Sequence, residues 1–477
     1  MEMYKGTKIS LIFYYNKRFT IYIIMNCIFC CLFDQEKNIN MFYILLESIF
    51  IYANLDINTH ILVYTTTQFM NTIKQSHLFC DEKIKFEIND AICNDNSRKA
   101  MLDLFNLPSI TNYDKIVYLD TNIVVKDDIN KVFDICKEDI LYVLEGEISC
   151  DSRYLGKTTV VDEVINYDDK SAFASGILLC NNCEKMKYLF KKIKEDIDDR
   201  PDNFNCFDQS YMMYNIFKYN LYNNTILKSL VVNNNTNIHS GKAIHCFPGC
   251  NCNEYKKTLV TMNTFLNSIK DFTITNNINK SMQYIDDYLL PIINNYGEPL
   301  EGNIFMYHHT TTYTDIFENK RKNISNLVLN KNIKNVIEIG FNSGFSTLLM
   351  LLSNENTNVT CFDLGYHKYT IPCYEKLKET FGDRINIIIG DSTKTLQNIN
   401  DVYDLIHIDG GHSINVANSD IINSYRLSKQ GTILIMDDYN HGNLHELWDN
   451  YINEYNLKQL DINIYTSKHH DIKYVVK

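Results

Sequence analysis

Twice along this chain, short apolar runs of strand length alternate with longer stretches whose apolar residues recur at helical spacing. The first series runs from Asn26 to about Gly249. It reads CIFCCL, the helix-length MFYILLESIFIYANL, THILVYTT, the helical SRKAMLDLFNL, KIVYLDTNIVV, ILYVLEG, FASGILLCN and the amphipathic CEKMKYLFKKIKEDI. The second starts at NVIEIGF and continues through VTCFDLG, INIIIGD, DLIHIDG and GTILIMDD. Unbroken apolar strands separated by helices build mainly parallel sheets covered on both faces. Ligands of such sheets collect beyond the carboxyl ends of the strands. The expected fold class is therefore α/β, with two doubly wound domains. A chain of 477 residues is also too long for one ordinary core.

The expected boundaries are an N-terminal extension over 1–24, a first domain over 25–257, a polar helical bridge over 258–325 and a second domain over 326–477. Met25 could serve as a start, leaving the extension dispensable. Phe19–Phe33 is apolar and follows Lys17-Arg18, but falls short of the ~20 apolar residues that span a bilayer. A buried first strand explains it better, so no membrane span and a soluble, cytoplasmic protein are expected.

The formal charge of −12 argues against a nucleic-acid backbone as partner. The 15 cysteines are odd in number and irregularly scattered, which fits reduced thiols better than a disulfide scaffold. Two CxxC pairs, Cys27/Cys30 and Cys180/Cys183, lie in or beside strand-like runs and read as packing rather than zinc ligands.

Asp120 and Asn122 follow the apolar strand KIVYL. Residues i and i+2 of an extended segment point to one side, so both oxygens can face one hard divalent cation. Around them, YDKIVYLDTNIVVKDDINKVF resembles the central motif of the glycogenin-like glycosyltransferases of family 8, Tyr-x-Asp-x-Asp-x-x-Val followed by Asp-Ile and a helix. The resemblance extends over roughly 230 residues in the same order. It implies Arg98, with Lys99 next, as the basic contact to the donor phosphates. It implies Ser175 and Gly176 of FASGILLCN as pocket residues, and Asp208 and Gln209 of FDQSYMM as catalytic groups. His245 of HCFPG would complete the metal site. The implied reaction transfers a sugar from a nucleotide diphosphate, in the family usually a UDP-sugar, with retention and with Mn2+ (or Mg2+) as the ion. A metal and a cation together stabilise the diphosphate leaving group. Two departures stand out: Asn122 replaces the family's second Asp, and its glycine-rich loop here reads Gly249-Cys250-Asn251-Cys252. Lys256 and Lys257 could supply a phosphate contact or be surface lysines.

In the second series, VIEIGFNSGFSTLLML turns from a strand through Gly340 and Gly344 into a helix, whose free N–H groups suit a ligand. The next strand ends in Asp363, where a ribose-binding acid is expected, and the third in Gly390-Asp391-Ser392, suited to an adenine. A dinucleotide dehydrogenase would instead read Gly-x-Gly-x-x-Gly. The series is similar to class I S-adenosylmethionine-dependent methyltransferases over about residues 330–440. The resemblance maps Glu338, Gly340, Ser343, Gly344, Asp363, Asp391 and Ser392 onto the cofactor motifs. Asp409, Asp437 and Asp438 end strands four and five, as in metal-dependent O-methyltransferases of the catechol and macrolide-sugar kinds. An ion there would hold a diol and lower a hydroxyl pKa, with His412 as base. The segment His308–Phe317 could form an acceptor lid.

These resemblances imply two Rossmann-like domains, a nucleotide-diphospho-sugar transferase fold and then a class I methyltransferase fold. Partners would be a nucleotide-sugar donor and a glycan or protein acceptor, and dimerisation is a habit of the first family. The pairing is similar to fusions encoded by large DNA viruses, which would place the protein in host cytoplasm or virion. Two other readings stay open: a transferase with a non-catalytic C-terminal binding module, and a glycan-binding protein in which Asn122 has abolished transfer.

Overall fold

A computed structural model describes residues 23–33, 36–92, 97–149, 171–199, 207–247, 254–460 and 473–476. The chain divides into two compact units, Met1–Lys74 with Leu78–Asn267, and Gln75–His77 with Ser268–Lys477. The expected bridge is thus no separate body. The division falls inside one helix, Tyr255–Tyr284, and the rest of the bridge belongs with the second unit.

The first unit holds β1 (Asn26–Leu32), β2 (Thr59–Thr65), β3 (Ile84–Ile88), β4 (Lys115–Leu119), β5 (Ile123–Val125), β6 (Leu141–Ser149), β7 (Ser171–Asn181), β8 (Tyr222–Asn223), β9 (Val231–Asn233) and β10 (Ile244–Cys246). Its main sheet has the order β3-β2-β1-β4-β7-β6-β8. β1 shows why NCIFCCL is apolar throughout. Ile28, Cys30 and Leu32 pack into one core, while Cys27 and Phe29 pack into the core on the other face. Residues three apart on a strand face opposite ways, so Cys27 and Cys30 cannot share an ion. Both thiols are fully buried, and burial pushes their pKa values up.

The pattern β3-β2-β1-β4 is parallel, but β7 runs antiparallel to both β4 and β6. The sheet is therefore mainly parallel, as the strand rhythm suggested, with β7 alone reversed and β8 parallel to β6. Antiparallel neighbours need no helical crossover, and apolar content does not encode strand direction. Strand order reverses between β1 and β4, which is where such sheets leave a crevice. A small sheet, β5-β10-β9, joins β5, which follows β4 directly, to two strands from much later in the chain.

The second unit holds β11 (Asn335–Ile339), β12 (Asn358–Asp363), β13 (Ile385–Ile389), β14 (Tyr403–Ile408), β15 (Ser428–Met436), β16 (Lys458–Gln459) and β17 (Lys473–Val476). The order is β13-β12-β11-β14-β15-β17-β16, parallel as far as β15, with β17 antiparallel to it. Each expected strand of this series forms, and the order reverses between β11 and β14. The single tryptophan, Trp448, is fully buried in this unit's core beside Leu444 and Met436. No helix among the described residues is long and apolar enough to cross a membrane.

Candidate functional sites

In the first unit, Asp120 follows β4 at the point where strand order reverses. Its N–H donates to the carbonyl of Gly176 on β7 at 2.8 Å, and its own Oδ1 accepts from the Thr121 N–H at 2.7 Å. A Cβ at Gly176 would lie 3.6 Å from the Asp120 Cβ and 3.9 Å from Asn122 Oδ1. Asp120, Asn122 and Gly176 are thus brought to one place, with Ser175 next to Gly176 on β7. Burial raises the Asp120 carboxyl pKa, against the two bonds from Thr121. A cation beside it would offset that cost.

His245 faces the same side of the small sheet as Asn122. It pairs with Val124 on β5, while the next residue but one, Phe247, donates its N–H to the Asn122 carbonyl at 2.9 Å. Both its ring nitrogens are engaged. Nδ1 lies 2.7 Å from the Asn235 carbonyl and Nε2 lies 3.0 Å from Ser240 Oγ. The carbonyl can only accept, so Nδ1 carries the proton and Nε2 accepts from the serine. The ring lies 4.4 Å from that of Phe265, and burial lowers its pKa to about 4. Joining an ion at Asp120 would require Ser240 to release Nε2. Asp120 and Asn122 supply oxygens suited to a hard divalent ion, and the imidazole is committed elsewhere in this arrangement.

Gln209 lies on the helix Phe207–Tyr219, and its Nε2 donates to the Phe173 carbonyl of β7 at 2.5 Å. The amide fixes the strand that carries Ser175 and Gly176. The backbone of Asp208 belongs to the same helix, but its side chain lies outside the described residues, as does that of Arg98. Gly249 lies outside them altogether. Lys256 and Lys257 are exposed.

In the second unit, a cavity of roughly 720 Å³ opens beyond the carboxyl ends of β11, β12, β13 and β14. Gly340, Ser343, Asp363, Asp391, Ser392, Asp409, His412 and Asp438 all line it. Gly340 has φ +101°, and a Cβ there would stand 1.9 Å from the Asp409 carbonyl oxygen. Gly344 has φ +78°, and its Cβ would meet the Phe341 ring at 2.5 Å. Only glycine serves at these two positions. The Asp363 carboxylate accepts from the N–H groups of Asn342 and Gly365, each at 2.7 Å. Asp391 caps the short helix Ser392–Thr395 through Thr393, and that hydroxyl holds its carboxyl pKa down. His308, from the expected lid, lines the same cavity.

Glu338 does not line the cavity; it is fully buried beneath. It accepts from Thr347 Oγ1 and lies 3.1 Å from His407 Nδ1, while His407 Nε2 lies 3.2 Å from Asp437 Oδ2. Held between two carboxylates, His407 has its pKa raised to about 10 although burial opposes this. It sits in the middle of the apolar strand DLIHID, where its polarity was the only available signal.

Asp409, Asp437 and Asp438 come together as expected, and so does His412. Its Nε2 pairs with Asp438 Oδ2 at 2.8 Å, which raises the imidazole pKa. Lys320, from the helix Glu318–Val328, was not foreseen. Its buried ammonium lies 2.5 Å from Asp437 Oδ1 and 4.0 Å from Asp438 Oδ1. Asp437 Oδ1 also accepts from the Asp438 N–H at 2.6 Å, so both oxygens of Asp437 already have internal partners. Asp437 therefore does not fit a divalent ion here, being committed to Lys320 and His407, and the ligand atoms that Asp409, His412 and Asp438 bring within 4.8 Å of one another lie beside a resident cation.

Comparisons with known proteins divide the chain in the same way. Residues 38–224 match the family model of glycosyl transferase family 8, and residues 337–439 match that of a methyltransferase domain. No curated protein sequence matches the chain. Similar solved structures include the galactosyltransferase LgtC with donor and acceptor sugar analogs, at 15% identity over 50% of this chain and 96% of that one, with a TM-score of 0.36. They also include an O-methyltransferase from Bacillus cereus with SAH, at 18% identity over 41% and 96%, TM-score 0.31. The glycosyltransferase GlyE of Streptococcus pneumoniae matches at 11% over 85% and 90%, TM-score 0.34. The chain is an enzyme that carries a glycosyltransferase domain and a methyltransferase domain.

Proposed function

We propose, on the premise of these two transferase domains, that the first transfers a sugar from a UDP-sugar with retention, and that the second methylates a sugar hydroxyl using S-adenosylmethionine. The observation that carries the first half is the convergence of Asp120 and Asn122 on Gly176 at the reversal of strand order. Asp120 and Asn122 would hold the divalent ion, Mn2+ or Mg2+, which when bound stabilises the diphosphate leaving group. Gln209 keeps β7 in register with that site, and Ser175 shapes its wall. Arg98 is assigned to the donor phosphates and Asp208 to the reacting face of the sugar, both from family resemblance alone. Gly249 is assigned to the diphosphate loop on the same ground.

For the second half, the supporting observation is that Asp363 and Asp391 share one cavity with Asp409, His412 and Asp438. Asp363 would hold ribose hydroxyls, and Asp391 with Ser392 would meet the adenine. S-Adenosylmethionine supplies an electrophilic methyl group when bound. With His412 Nε2–H donating to Asp438 Oδ2, the free Nδ1 would take the proton from an acceptor hydroxyl as that oxygen becomes the nucleophile. Tethering would hold one domain's product near the other at raised effective concentration. Such a chain would act on soluble glycans or glycoproteins in a cytoplasm or virion.

The test is calorimetry with S-adenosylmethionine beside hydrolysis of a nucleotide-sugar panel with and without Mn2+. No heat of binding would favour a non-catalytic C-terminal module. No donor turnover would favour a glycan-binding protein.

A further inference from the structure

We infer that the ε-ammonium of Lys320 is the resident cation of the second unit's acidic centre, so that this centre takes no divalent ion. Three carboxylates meet at the ends of β14 and β15, a grouping that otherwise calls for a metal. In this chain the charge they need arrives on a side chain. Lys320 lies 2.5 Å from Asp437 Oδ1 and 4.0 Å from Asp438 Oδ1 and is 5% exposed. It comes from a helix that precedes β11, far in sequence from the acids it meets.

The two carboxylates Lys320 touches are tied on their other sides as well. Asp437 Oδ2 faces His407, and Asp438 Oδ2 faces His412. Glu338, Asp437 and Asp438 thus stand against Lys320, His407 and His412, side chains that can supply an equal number of positive charges. Asp409 completes the group and lies against the cavity. A buried ammonium cannot leave without stranding Asp437, so an incoming ion would have to displace a paired charge. The arrangement also leaves Asp438 and His412 facing the cavity, where an acceptor hydroxyl can reach them without an intervening ion.

The inference concerns the cation alone, and its test does not depend on methyl transfer. Mn2+ binding to the full chain is measured by electron paramagnetic resonance titration in the Asp120→Ala background, which silences the first unit's site. This protein is expected to bind no Mn2+ in the second unit. Replacing Lys320 by methionine (Lys320→Met) keeps length and removes charge, and is expected to create one equivalent of Mn2+ site, at least tenfold tighter than any residual binding. That site should be lost again on adding Asp409→Asn. Lys320→Arg, which keeps the charge, should create none. Binding of one Mn2+ by the Asp120→Ala protein that disappears with Asp409→Asn would overturn the inference. So would a folded Lys320→Met protein that gains no site. If Lys320→Met does not fold, the Asp120→Ala measurement decides alone, one equivalent against the inference and none for it.

Discussion

A methyl group on Gly340 would come 1.9 Å from the carbonyl oxygen of Asp409, which links the first turn of the second unit directly to its acidic centre. The close approach sits where strand order reverses, and φ at Gly340 is +101°. Gly340→Ala must therefore move either the turn or the β14 end. It is expected to cost at least about 3 kcal/mol, since strain of this kind and a backbone clash add. Urea denaturation followed by Trp448 fluorescence would report it, because the one tryptophan is buried in that unit. An unchanged midpoint would mean the approach is not as close as described.

His407 holds Glu338 and Asp437 apart from solvent and from each other's charge. Removing it leaves two buried carboxylates uncompensated, so His407→Ala should destabilise the unit by about 3–5 kcal/mol. The folded-state pKa of about 10 lies above that of a free imidazole. The stabilisation is therefore fully present below about pH 6.5 and is lost as pH rises through 10. Denaturation midpoints of the wild type should fall over that window, and the fall should vanish in His407→Ala.

Asp420 gives the same sign in a more acid window. It is fully buried, and burial raises its pKa to about 6. The native state holds this proton more tightly than the unfolded chain, so its contribution weakens as pH rises from about 4 to 6. Asp420→Asn should leave stability unchanged near pH 4 and raise it by up to about 3 kcal/mol above pH 7. Equal midpoints for both proteins at pH 7.5 would contradict the assigned shift.

Asn122 offers an amide oxygen where a carboxylate would bind a divalent ion more strongly. Asn122→Asp should keep or tighten Mn2+ binding in the first unit, whereas Asp120→Asn should abolish donor turnover. Titration of Mn2+ into both proteins separates them, and equal affinity would remove Asp120 from the ion's contacts.

What the chain disclosed by sequence follows a physical division. Strands such as NCIFCCL and NVIEI could be read because burial on both faces leaves an apolar run. Gly340, Asp363 and Asp391 could be read because each sits at or just beyond the carboxyl end of a strand. The direction of β7 could not, since antiparallel and parallel strands share the same apolar residues. Lys320 could not either. The segment ENKRKN has the composition of a solvated helix start, and its partner Asp437 lies more than a hundred residues away. Long-range pairing of a lone charge leaves no local period. His407 did leave a trace, a polar residue within DLIHID, though only the fold reveals the carboxylates on either side. His245 shows the reverse case, a residue that the family resemblance of HCFPG implied as a ligand while its neighbours Ser240 and Asn235 hold both nitrogens.

Asp120 is the centre of the proposed sugar-donor chemistry. The direct measurement is release of free nucleotide diphosphate from a panel of UDP-sugars by the full chain with Mn2+, beside the Asp120→Ala protein. Turnover of at least one donor by the wild type, reduced at least a hundredfold in Asp120→Ala with its fold intact by circular dichroism, is the predicted result. Equal turnover by the two proteins would contradict it.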